Sequence, residues 1–433
     1  MNLPRLLSSL AVALMGLTLL SCAKPQEGSV KPITGTWVNL AWKDVRNQYT
    51  NPRNLDMTNP ALWRAKVAEW NEMGLEYLIL MEVSNEGTDY YGKEDSPVSV
   101  ILEEAGQRDM KVFLSTGWAW DQDDDIRKPE IQARQQQIME ELTALYKDSK
   151  AFYGWYLPVE DCITPVFPES AVEAVNRLVA KAQELTPGKK TLISPYGMVY
   201  ADFDNPAFAK NIRSLKVDII AYQDEVGCVR EPFPLPRLKE NWKKLAQVHE
   251  GTSIEMWANC ETFTWEGNTN DRESALIPAA YPRLLAQQIA ASEGGVQRIV
   301  SFMFQGLIED PKSEFPLGQP AQAKELYKNY MAWKSGHPYW KLVELAIAGK
   351  LDAFRPDSTK WSVFEPGEHS VTVTGNVVRF LDCAKAGILP PAPVIASPNN
   401  LHDTWIDVLE VKPGTTLNWN TDHSVWMEID TIK

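Results

Sequence analysis

The strongest constraint on what this chain can fold into is an eightfold alternation, from Thr34 onward, of short apolar segments with longer amphipathic ones. The predicted strands are Thr36–Trp42, Tyr77–Val83, Lys111–Trp118, Phe152–Glu160, Lys190–Tyr196, Val217–Asp224, Ser253–Glu261 and Arg298–Gly306. Helical signals lie between them. Asn59 and Pro60 read as N-cap and first helical residue, Trp63, Val67, Trp70 and Met73 form an apolar stripe, and Gly74 ends it. Ser170 is expected to open another helix, lined by Val172, Val175, Val179 and Ala182 and stopped at Pro187 and Gly188. Ile131, Ile138, Leu142 and Leu145 mark the third helix, and Leu284, Leu285 and Ile289 the seventh.

Eight strand–helix units in about 300 residues predict a closed (β/α)8 TIM barrel over residues 34–336. An open doubly wound sheet would also alternate, but it usually carries a glycine-rich phosphate turn after its first strand. Here Trp37–Trp42 leads into a polar loop without that motif. Beyond Trp333–Pro338 the pattern becomes alternating: Val371–Val373, Val377–Leu381, Trp405–Val411, Thr416–Trp419 and Val425–Ile429. Turn residues such as Pro366 and Gly367, or Pro413 and Gly414, separate these runs, so residues 345–433 read as a small all-β module.

The first residues bear on compartment. Arg5 precedes an apolar run from Leu6 to Leu20, which is short for a membrane span and built like a signal-peptide core. Leu19-Leu20-Ser21-Cys22 resembles the lipobox of bacterial lipoproteins. That resemblance implies a signal peptide over residues 1–21, cleavage before Cys22, lipidation of its thiol and a polar tether over 22–33. The expected location is exported and lipid-anchored to the bacterial outer membrane, on the periplasmic or the external face. An uncleaved N-terminal anchor is the alternative.

Lys and Arg number 43 against 57 Asp and Glu, giving a net charge of −14. Such a surface repels nucleic acid, so none is expected as a partner. No cofactor or metal is expected. No Cys-x-x-Cys pair occurs, and Cys162, Cys228, Cys260 and Cys383 leave a disulfide or simple packing open. His249, His337, His369, His402 and His423 avoid the predicted strand ends, which weighs against histidine-rich metallohydrolase barrels. Lys111, Lys190 and Lys216 stand at strand beginnings, the wrong end for a Schiff base. Gly306 stands alone where a phosphate cradle would need several glycines.

In a TIM barrel the chemistry sits at the carboxyl ends of the strands. Glu160 ends the predicted fourth strand in the phase of Gly154 and Tyr156, and Glu261 ends the seventh in the phase of Glu255, Trp257 and Asn259. Two such carboxyls across one mouth suit glycoside hydrolysis, one protonating the leaving oxygen while the other attacks carbon or activates water. Glu255, deeper in the strand, is expected to be a buried ion-pair member. Glu82, Asp224 and Glu225 also reach the mouth, and Tyr222 shares the phase of Asp224, where it orients a nucleophile or packs in the interior. Trp42, Trp118, Trp120, Trp257, Trp265 and Phe304 lie at or just past strand ends, where aromatic faces can stack on sugar rings. The expected substrate-binding set is therefore Glu82, Trp118, Trp120, Tyr222, Asp224, Asn259, Trp257, Trp265 and Phe304.

Carboxylates after strands four and seven resemble the large glycosidase clan with acid/base and nucleophile at those positions. The strings Gly154–Asp161, Trp257–Phe263 and Gly35–Leu40 are similar to a bacterial family labelled domain of unknown function 4434, itself considered similar to barrel glycosidases. That resemblance spans roughly Thr34 to Trp333. It implies an acid/base role for Glu160 and a nucleophile or base role for Glu261. The clan usually has Asn immediately before the strand-four glutamate, whereas Val159 stands here, a departure from the standard retaining arrangement. The expected function is glycoside hydrolysis on a carbohydrate substrate. The alternative is a non-catalytic glycan-binding or scaffold lipoprotein; a lyase or isomerase lacks any positive motif.

Overall fold

Strand β1 (Ile33–Val38) pairs in parallel with both β2 (Tyr77–Leu80) and β8 (Arg298–Phe302), and that double pairing closes the sheet. The computed structural model describes residues 29–41, 55–85, 87–117, 125–228, 235–265, 276–317, 320–348, 361–375, 377–381, 406–410, 412–421 and 425–428. The segment expected to be a signal peptide (residues 1–21), Cys22 and the start of the expected tether, Trp42, Trp118, Trp120 and Cys383 lie outside these residues. Between β2 and β8 run β3 (Lys111–Ser115), β4 (Phe152–Tyr156), β5 (Lys190–Ile193), β6 (Ile219–Gln223) and β7 (Glu255–Glu261). Each is parallel to the next, so the ring is a closed eight-stranded barrel, as the alternation predicts.

The helices α1 (Pro60–Glu72), α2 (Pro97–Gln107), α3 (Pro129–Tyr146), α4 (Glu169–Leu185), α5 (Pro206–Arg213), α6 (Leu235–His249), α7 (Tyr281–Glu293) and α8 (Pro320–Lys334) follow the strands in turn. Asn59 caps α1 as expected, its side chain accepting from the Ala61 N–H at 3.0 Å. Two details differ from the sequence reading. Helix α4 starts at Glu169 behind Pro168, so Ser170 lies inside it, and Leu145 is 50 % exposed at the end of α3 rather than part of its buried stripe.

Aromatic rings fill the barrel. Trp257 of β7 lies 5.1 Å from the Tyr77 ring of β2 and 6.1 Å from Phe113 of β3, contacts that only side chains crossing the barrel axis can make. Gly35 permits this packing, because a Cβ there would stand 2.9 Å from both Tyr77 Cβ and Val300 Cγ1. Outside the ring, Lys66 of α1 is buried and donates to Glu69 at 2.8 Å, Glu309 at 2.5 Å and Ser313 at 2.7 Å, tying α1 to the segment after β8.

After α8, helix α9 (Pro338–Ile347) packs Trp340 against Tyr281 of α7 with ring centroids 4.7 Å apart. Past α9 most of the described residues lie in strands. Trp361–Phe364, Val425–Glu428, Val377–Leu381 and Ile406–Glu410 form a four-stranded sheet in that order, and Gly367–Thr372 pairs with Thr416–Thr421. No helix among the described residues is long and apolar enough to cross a membrane.

Candidate active site

Pleat alternation carries β7 to the mouth. Since Trp257 points along the barrel axis, Glu255, Asn259 and Glu261 share its inward phase. Glu255 is no ion-pair member among the described residues; its carboxylate accepts from Trp257 Nε1 at 2.9 Å. One layer higher, Asn259 donates to Ser194 Oγ at 3.2 Å, and its Oδ1 is buried without a hydrogen-bond partner among the described residues. At the strand's end Glu261 is 5 % exposed, and its Oε2 accepts from the Cys228 N–H at 2.7 Å. Burial, reinforced by the charges of Asp224 and Glu225, pushes the Glu261 carboxyl up to about 8.

Asp224, just past β6, does not open on the cleft. Its Oδ2 accepts from Gln287 of α7 at 2.6 Å, and its Oδ1 accepts from the N–H groups of Glu261 at 3.2 Å and Val226 at 3.3 Å. Burial raises this carboxyl while those donors pull it back. Arg283 of α7, also buried, donates to the carbonyls of Glu261 at 2.9 Å and Phe263 at 2.7 Å. Tyr222 shares the phase of Asp224 and likewise turns to the helices, its hydroxyl meeting His249 Nε2 of α6 at 3.0 Å. Of the two roles open to it from sequence, packing is where the structure places it.

On the other side of the ring stands Glu160. Strand β4 ends at Tyr156, four residues before the end expected from the sequence. The pairing continues once, from Leu157 N–H to Leu192 O at 2.9 Å; then Pro158, which has no N–H, and a tight Val159 N–H to Leu157 O contact at 2.7 Å end it. Glu160 is therefore an exposed loop residue. Its carboxylate neighbour is Glu82, two residues past β2, buried and with a left-handed backbone (φ 44°). Burial first and the Glu160 charge second push the Glu82 carboxyl up to about 7. Beneath both lies Tyr156, fully buried and edge-on to Trp37 at 5.9 Å, its hydroxyl raised well above the usual range by burial and by the same two glutamates.

Between these groups sit Glu225 and Tyr196. Glu225 also has a left-handed backbone (φ 53°), and its Oε2 accepts from the N–H groups of Gly197 at 2.9 Å and Val199 at 3.4 Å. The Tyr196 ring is 40 % exposed, and its hydroxyl, raised chiefly by burial, feels the charges of both Glu160 and Glu225. Acids from β2, β4, β6 and β7 thus line one mouth. Neither tyrosine is singled out from sequence as a site residue: Tyr156 enters only as a strand residue in the phase of Glu160, and Tyr196 as the end of a strand.

The aromatic expectations divide. Trp257 is 1 % exposed inside the barrel, and Phe304 is fully buried against Tyr330 at 5.8 Å, so both are core. Trp265 is partly exposed and packs on Phe263 at 5.8 Å. Cys162 and Cys260 carry free thiols. Among the described residues no group of three or more His, Cys, Asp and Glu is arranged to hold a metal ion.

A family model described as "Domain of unknown function (DUF4434)" matches residues 33–315. No curated protein matches the chain. Among solved structures the chain is similar to a putative alpha-L-fucosidase from Bacteroides thetaiotaomicron, 18 % identical with a TM-score of 0.55, covering 77 % of this chain and 99 % of that one. It is also similar to a GH99 endo-alpha-mannosidase from the same organism (11 % identity, TM-score 0.45, 74 % and 99 % covered). A third is GH5_18 from Streptomyces cattleya in complex with GlcNAc (14 %, TM-score 0.44, 71 % and 82 %). The first of these likenesses is one of fold, and the other two are too distant to add to it.

Proposed function

The chain belongs to the DUF4434 family, and on that premise we propose that it is a glycoside hydrolase whose carboxylate pair is Glu160 and Glu261. One observation carries the reading: a closed barrel brings acids in unlike surroundings to one mouth, Glu160 exposed and Glu261 buried with its carboxyl pushed up to about 8. Unlike environments are what let two carboxyls divide acid and base work. A group that keeps its proton at neutral pH suits the acid role, so Glu261 protonates the leaving oxygen as the glycosidic C–O bond breaks. Glu160 then takes the proton of the attacking water or attacks the sugar carbon itself. This reverses the roles implied by family resemblance, because burial falls on the β7 acid. A barrel shared with a structure described as a putative alpha-L-fucosidase agrees with a carbohydrate substrate.

The substrate set of this proposal is Glu82, Asn259 and Trp265, together with Trp118 and Trp120. The chain acts as an exported lipoprotein anchored through Cys22; fatty-acid labelling lost in C22S checks the anchor. Turnover across a glycan panel tests the chemistry. Wild type cleaves at least one glycan, and E160Q and E261Q each lose on the order of 10²–10⁴-fold in rate.

A second reading, glycan binding without cleavage, is favoured by the hydrogen bond that holds Glu261 Oε2 to the Cys228 backbone in a buried position. If wild type and both variants bind equally and none cleaves, that reading replaces the first.

A further inference from the structure

At the end of the barrel opposite the mouth, where β3, β4 and β5 begin, the surface opens into a cleft of about 350 Å³. Its walls come from three neighbouring turns, α2 to β3, α3 to β4 and α4 to β5, all within the described residues. Four lysines line it: Lys111, Lys150, Lys189 and Lys190. On a chain with a net charge of −14, such a concentration of ammonium groups runs against the overall charge. At Gly188 the wall is open, since a Cβ there would meet nothing within 4 Å.

How each ammonium is held decides what it can still bind. Lys150 pairs with Asp109, and Lys190 with Asp218 at 2.9 Å. Lys111 is held by neutral groups: its Nζ donates to the Tyr77 hydroxyl at 3.1 Å and lies 4.9 Å and 5.0 Å from the centroids of the Tyr77 and Tyr153 rings. Lys189 donates to the Phe152 carbonyl and lies 4.9 Å from the centroid of that residue's ring. Ring faces and neutral oxygens fix an ammonium in place without cancelling its charge. An ammonium has three N–H donors, so Lys111 and Lys189 keep donors for a ligand. The Asp148 charge reaches Lys189, that of Glu255 reaches Lys190, and Arg298 adds positive charge near Lys111.

We propose that this cleft binds a phosphate group. Ammonium groups carried on three separate turns are point charges converging from several directions, which suits a tetrahedral, multiply charged oxyanion; a planar carboxylate is better matched by the fork of an arginine. Lys111 and Lys189 donate to the phosphate oxygens, and Lys150 and Lys190 add charge around them. The phosphate group is either a free ion or the headgroup of a lipid, and the experiment tells the two apart. The site lies at the far end of the barrel from the proposed glycosidase acids and does not depend on them.

The test is carbon NMR of the full chain labelled at the lysine ε-carbons and titrated with sodium phosphate at constant ionic strength. Signals lost in K111R and K189R identify the two lysines while keeping their charge. Both should shift saturably with phosphate, and K189Q should raise the Kd read at Lys111 by on the order of tenfold. Lys150 and Lys189 lie in turns between helix and strand, so the Lys189 signal and K150Q carry the same test should the Lys111 variant fail to fold. Vesicles of phosphatidic acid in phosphatidylcholine separate the sources: they displace bound phosphate if the ligand is a headgroup and leave it in place if the ligand is the free ion. Phosphate that shifts neither lysine, that shifts every lysine alike, or that binds K189Q as tightly as wild type overturns the site. Acetate acting as strongly as phosphate overturns the choice of ligand.

Discussion

Gly227 lies against Glu261 so closely that a Cβ at residue 227 would stand 2.9 Å from Glu261 Oε2 and 2.3 Å from the backbone carbonyl of Phe263. The neighbouring N–H, that of Cys228, is the one that holds Glu261 Oε2. Loop after β6 and end of β7 are therefore locked together, and the position of the proposed acid depends on a residue with no side chain.

Substituting that glycine tests the lock. G227A forces backbone to move, and overpacking of this kind costs about 1–3 kcal/mol. We expect the melting temperature to fall by about 2 °C or more in calorimetry; an unchanged value would show that the loop is loose.

The raised Glu261 carboxyl makes a pH-dependent stability prediction. Its folded value, about 8, lies above the ordinary 4.5, so between these values the folded state binds the extra proton and stability falls as pH rises. E261Q keeps the shape and removes the titration. The variant should match wild type near pH 4.5 and become the more stable of the two by pH 8. Denaturant titrations at both ends of that window decide it, and a constant gap contradicts the assignment.

His249 has the opposite sign. Its Nδ1 lies 3.1 Å from the Ile254 carbonyl and its Nε2 3.0 Å from the Tyr222 hydroxyl, an arrangement that fits neutral imidazole donating through Nδ1 and accepting at Nε2. Burial pushes its pKa below 6.5, so stability present above that value is lost as pH falls through it. Y222F leaves a buried acceptor unsatisfied and costs about 1–3 kcal/mol at neutral pH. The loss should grow in acid, where a protonated imidazole would have donated from Nε2 to the Tyr222 oxygen that the variant lacks; an equal loss at both pH values would argue against an imidazole that passes from neutral to charged.

Lys66 tests how far the barrel relies on its buried ion pair. K66M takes the Lys66 ammonium away from Glu309, 2 % exposed, and should cost about 3–5 kcal/mol. The double variant K66M/E309L should recover part of that, because it removes the Glu309 charge while Glu69 still loses its contact with Lys66. Unfolding midpoints of the four proteins give the coupling, and a double variant no better than K66M refutes it.

Much of the fold was legible in the chain itself. The apolar periodicities that set eight strands between helices are local properties, and so is the alternation that turns Trp257, Asn259 and Glu261 to one face. Pro158 was a local signal too: its missing N–H ends β4 early and moves Glu160 from strand to loop. Partnerships between distant segments were not legible. Nothing near Tyr222 in sequence indicates His249, nothing near Asp224 indicates Gln287, and period-2 phase alone cannot separate a side chain facing the mouth from one facing the helix layer. Which acids keep their protons was decided by tertiary structure, since that depends on burial and on charges brought through space, as when ring closure places the end of β2 beside the loop after β4. Side-chain direction along a strand follows from covalent geometry a residue at a time, whereas a carboxyl's protonation follows from everything packed around it.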